Sequence, residues 1–65
     1  MDERAKHRKN IFPGLKVTIC LNEDRSKFVD GTVKQLLTKS AFHPHGLKVR
    51  LTSGSVGRVK NILTE

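Results

Sequence analysis

His43, Pro44 and His45 form a His-Pro-His run. With His7 and Cys20 they supply every imidazole and thiol in the chain. Zinc takes three protein ligands even in an open catalytic site. The run offers two, and neither His7 nor Cys20 stands at a recognisable ligand spacing, so no metal and no cofactor are expected. The run reads better as a turn, with Pro44 setting φ at the second position and Gly46 closing it. Its two imidazoles can still contact phosphates or stack on bases, and they gain charge as pH falls. Acid–base chemistry needs a positioned group with a shifted pKa. Glu23 and Asp24 lie in a polar loop beside Arg25 and Lys27 and read as solvated charges. No Walker-type glycine loop occurs, and Ser53-Gly54-Ser55 is a turn rather than a nucleophile elbow. An enzyme is not expected.

The cations are the stronger signal. The chain of 65 residues carries 13 Lys and Arg against 6 Asp and Glu, a net charge of +7. Such a balance attracts acidic partners, nucleic acid foremost. Membrane binding lacks a basic amphipathic helix to support it, and no apolar run is long enough to cross a bilayer. Cys20 is the single cysteine. With no hydrophobic signal segment, a reducing, cytoplasmic setting is expected. Cys20 itself reads as an ordinary thiol.

Residues 43–59 must place these groups. Leu47, Val49 and Leu51 alternate with Lys48 and Arg50, which puts the aliphatics on one face of a strand and the cations on the other. Ser53-Gly54 is a turn signal, and a second strand follows from Val56. A two-residue turn pairs Leu51 with Val56 but would aim Arg58 inward. A one-residue bulge at Gly57-Arg58 repairs this, setting Val59 opposite Val49 and Lys60 beside Lys48. Lys48, Arg50, Arg58 and Lys60 then share the outer face.

The rest of the chain continues the pattern. Residues 1–10 are polar and charged, and a disordered basic arm is expected there. Residues 11–65 read as a single small domain. Leu15, Val17, Ile19 and Leu21 alternate with Lys16, Thr18 and Cys20, which makes a strand. Another runs from Phe28 to about Thr38, with a turn or bulge at Asp30-Gly31. Parity breaks at Leu36-Leu37, where one leucine is bulged or covered from outside, and again at Ile62-Leu63. The three Phe, with no Trp or Tyr, leave the core to Leu, Val and Ile. One-sided strands must curl to bury their inner faces. The expected fold is therefore all-β, a small SH3-like barrel of four to five antiparallel strands, with a truncated OB-type barrel as the alternative.

Three stretches then resemble a known family: residues 31–38 (Gly31-Thr32-Val33-Lys34-Gln35-Leu36-Leu37-Thr38), the His43-Pro44-His45-Gly46-Leu47-Lys48-Val49-Arg50-Leu51 run, and Gly54-Ser55-Val56-Gly57-Arg58-Val59. Gly14-Leu15-Lys16-Val17 matches the same family's opening strand. This is the YwbE family of small uncharacterised bacterial proteins, and the similarity covers about residues 10–62. Arg25-Ser26-Lys27 is one residue shorter than the family's Arg-Thr-Gly-Lys type of loop and lacks its glycine. The resemblance implies a compact cytoplasmic domain and brings no catalytic residues. More loosely, the glycine-valine hairpin is similar to KOW-type SH3-like barrels, which bind RNA or ribosomal surfaces. The expected function is a nucleic-acid-binding module, monomeric and RNA- or ribosome-associated. Lys48, Arg50, Arg58 and Lys60 would contact phosphates, Lys16 and Lys34 would extend the patch, and His43 and His45 would sit at its rim. Scarce aromatics imply weak sequence preference. The alternative is a protein-interaction module docking on an acidic protein.

Overall fold

Alternating aliphatics close into a ring in the computed structural model, which describes residues 3–63. The strands are β1 (Lys16–Leu21), β2 (Phe28–Leu36), β3 (Lys48–Leu51) and β4 (Val56–Ile62). Each pairs antiparallel with the next, and β4 returns to pair with β1, forming a closed barrel of the small SH3-like type. Four strands complete it.

The inner faces follow the period-two pattern. Val17 and Ile19 of β1, Val33 of β2, Val49 and Leu51 of β3 and Val59 of β4 are buried. Leu47, Leu15, Ile11 and Ala5 complete the aliphatic core, while Phe12, Phe28 and Phe42 all lie on the surface. Asp30 and Gly31 sit inside an unbroken β2 rather than in a turn or bulge, paired with Thr18 and Val17. Gly31 leaves the room that Leu51 fills.

Closure depends on two bulges, and neither is at Gly57-Arg58. The β2–β3 register shifts between Val33 and Gln35, which makes Lys34 the extra residue. The β1–β4 register shifts across Thr18 and Ile19, and the extra residue is Lys60 on β4. A bulge bends its strand and adds twist, which a four-stranded ring needs in order to close. Each one also explains a parity break. Val33 and Leu36 both turn inward although three residues apart, and so do Val59 and Ile62.

The hairpin register differs from the expectation as well. Lys48 pairs with Arg58, Val49 with Gly57 and Arg50 with Val56. Gly54 N–H donates to Leu51 O at 2.9 Å, and Leu51 N–H donates to Ser55 O at 2.8 Å. The loop therefore has three residues, with Gly54 at φ +97° where such loops place a left-handed residue. The longer loop moves β4 by one position. Gly57 replaces Val56 on the inner face, and Val56 lies outside, half-buried.

The N-terminal stretch is not a free arm. Residues 3–10 form two 3-10 turns, Glu3–Lys6 and Arg8–Asn10, laid against the barrel. Ala5 is buried in the core, and its carbonyl accepts the Leu47 N–H at 3.0 Å. Lys6 O accepts the His43 N–H at 2.9 Å, and Arg8 N–H donates to Ala41 O at 2.8 Å. His7 bridges to Phe42, with ring centroids 5.0 Å apart. Backbone pairing with residues 41–47 supplies what the polar side chains do not, so composition alone was a poor guide here. The first two residues of the expected arm lie outside the described residues.

Candidate nucleic-acid interface

The β3–β4 hairpin turns Lys48, Arg50, Arg58 and Lys60 to the outside, as the alternation requires. Arg58 now stands directly opposite Lys48. Like charges in that position destabilise a sheet by about 0.2–1 kcal/mol. Among the described residues none of the four cations is paired with a carboxylate.

Two of the four also have a structural task. Arg58 Nη1 donates to Gly46 O at 3.2 Å and lies 3.5 Å from His43 Nδ1, and Lys60 Nζ donates to His45 O at 3.0 Å. They clamp the His43–Gly46 turn over β4. The turn has the form expected for Pro44: Gly46 N–H donates to His43 O at 3.1 Å, and Gly46 takes φ +95°. His43 Nδ1 accepts the His45 N–H at 3.2 Å, so the imidazole braces its own turn. His45 is exposed, with its ring 5.8 Å from that of His43.

Both of these contacts use the lone pair on Nδ1, so His43 must be neutral. Partial burial, then the Arg58 guanidinium and His45, hold its pKa below the usual 6.5. As pH falls the unfolded chain takes up this proton first. The contribution is therefore complete above about 6.5 and is lost as pH falls from there through the folded-state value. The expected result is a melting temperature that declines below pH 6.5, with the decline reduced in His43→Asn. A His43 ring titrating at or above 6.5 by NMR would contradict this.

A cleft of about 310 Å³ opens between the turn and the β1–β2 loop. Cys20, Arg58 and Lys60 lie on its strand side, with His45 on one lip and Asn22 and Arg25 on the other. Cys20, on the outer parity as expected, is half-buried, and its Sγ donates to Arg25 O at 3.1 Å. The loop is further shaped by Asp24, whose Oδ1 accepts both the Ser26 N–H at 3.0 Å and the Ser26 hydroxyl at 2.6 Å. Those bonds hold the Asp24 carboxyl below its ordinary pKa. Arg25 thus joins the cationic surface, a placement not anticipated from the sequence, where it is read only as a neighbour of Glu23 and Asp24. The signal for it was local: Asp-x-Ser favours a side-chain-closed turn.

Lys16 and Lys34 do not line the cleft. Lys16 opens β1 opposite Thr32 and is exposed. Lys34 is exposed at the β2 bulge, next to Gln35, which pairs with Arg50. Among the described residues no three His, Cys, Asp or Glu side chains gather where they could hold a metal ion.

Comparison with known proteins agrees with the motifs. A family model described as "Uncharacterized conserved protein (DUF2196)" matches residues 4–62. The uncharacterised protein YwbE of Bacillus subtilis (strain 168) is 49% identical over 62 residues, which span 92% of this chain and 95% of that protein. No solved structure matches. The matched span takes in the barrel, the His43–Gly46 turn and both lips of the cleft, so the chain belongs to the DUF2196 family that includes YwbE.

Proposed function

We propose that the protein is a small RNA-binding module, acting on free or ribosomal RNA, which grips phosphates through the outer face of the β3–β4 hairpin. The observation that carries this reading is one face bearing Lys48, Arg50, Arg58 and Lys60, none of them paired with a carboxylate among the described residues, continued across the cleft by Arg25. Lys48 and Arg50 are free to reach phosphates. Arg58 and Lys60 are held in place by the turn and present fixed charge. His45 contributes at the cleft's lip, while His43 serves the turn. Lys16 and Lys34 add charge on neighbouring strands.

Contacts of this kind release counterions, so affinity falls with salt. Four neutralised phosphates on a single strand give a log–log slope of roughly −3, a loss of roughly 60-fold between 50 and 200 mM salt. Fluorescence anisotropy with a labelled short RNA, repeated across that range, measures it. A flat salt response would remove the proposal. Capture of an acidic protein that survives nuclease treatment would point to protein docking instead.

A further inference from the structure

Phe28 is 60% exposed, the most exposed of the large apolar side chains among the described residues. Its neighbours give that exposure a use. Phe28 pairs directly with Cys20, and Cys20 pairs on its other side with Arg58, which pairs in turn with Lys48. Directly paired residues point to the same face of a sheet, with Cβ atoms about 4.5–5.5 Å apart. Phe28, Cys20, Arg58 and Lys48 therefore form one outward row around all four strands. Two steps of that row carry the ring to Arg58, about 10 Å away, and the cleft opens between them at Cys20.

The other two phenylalanines are placed differently. Phe42 is engaged with the His7 ring. Phe12 precedes a turn whose Gly14 N–H donates to Val33 O at 2.8 Å, five residues along β2 from Phe28. Phe28 has no ring partner among the described residues.

Building on the function proposed above, we infer that Phe28 is a base-stacking platform and that the cleft beside it receives the adjoining phosphate. The ligand is then single-stranded RNA with at least one base turned out of its stack. An aromatic face flanked by a cationic groove is how single strands are held without a sequence code, because every base has a π-face. A duplex keeps its bases stacked on one another, so it can offer phosphates to the cations but no free base to the ring.

The test uses the full chain with a labelled oligouridylate, alone and annealed to oligoadenylate. Wild type should favour the single strand. Phe28→Ala should weaken that binding about 5- to 150-fold while leaving the salt slope and the duplex affinity unchanged. Phe28→Trp should restore it. Because the side chain is largely exposed, the alanine variant should keep its fold, which its amide NMR spectrum will show. Unchanged affinity in a folded Phe28→Ala, or equal binding of duplex and single strand by wild type, would overturn the stacking site while leaving the phosphate-binding face in place. If wild type binds neither RNA at low salt, the proposed function fails and this site with it.

Discussion

Gly57→Ala is expected to remove much of the protein's stability. Gly57 is buried and lies between two partners, Leu21 on β1 and Val49 on β3. A Cβ there would run into the backbone carbonyl of Cys20, with the Cδ1 of Ile19 3.2 Å away on another side. A flexible side chain could swing aside, but the carbonyl belongs to the β1–β4 ladder and cannot yield without parting the strands. Overpacking commonly costs about 1–3 kcal/mol and occasionally more. A core this small rarely supplies more than about 3–5 kcal/mol in total. Gly54→Ala is the control: nothing lies within 4 Å of its Cβ position, so only its φ of +97° opposes the change. That penalty is about 1–2 kcal/mol. Chemical denaturation of both variants tests the difference. If Gly57→Ala proves as stable as Gly54→Ala, the close approach of β4 to β1 is wrong.

The largest expected effect on binding belongs to the double charge reversal Lys48→Glu with Arg50→Glu. Both side chains stand on the outer face of β3 and make no side-chain hydrogen bond or ion pair among the described residues, so the fold should tolerate their loss. A hydrogen bond to a charged group is worth about 1.5–3 kcal/mol. Losing two, with repulsion added, should weaken RNA binding by more than about 100-fold and make its salt slope shallower by about two. Lys16→Glu with Lys34→Glu changes net charge equally but lies off the hairpin face, and should cost far less. Equal losses from the two pairs would show that net charge alone attracts the RNA. Arg58 and Lys60 are poorer choices for this experiment, since replacing either also frees the His43–Gly46 turn.

The two parity breaks show how much local pattern could say. Leu36-Leu37 and Ile62-Leu63 each announced that a strand must bulge or be covered. The bulges occur at Lys34 and Lys60, each within two residues of its break. Their positions were out of reach because a bulge is fixed by the partner strand's register, and that register depends on the loop. One more residue in the loop at Thr52-Ser53-Gly54 put Gly57 inside and Val56 outside. The inference of a bulge at Gly57 was right that this glycine is special and wrong about why: it is needed for a close approach, not for a bend.

The sequence by itself determined the four strands, the aliphatic interior and the outward cations of the hairpin, because period-two alternation decides which face each side chain takes wherever the strand is later placed. Only the tertiary structure decided that residues 3–10 belong to the barrel, that Arg25 reaches the cationic face and that Phe28 shares a row with Arg58. Those placements rest on backbone hydrogen bonds between remote segments, such as Leu47 N–H to Ala5 O, and on ring closure bringing β4 beside β1. Neither leaves a periodic mark on the residues it joins.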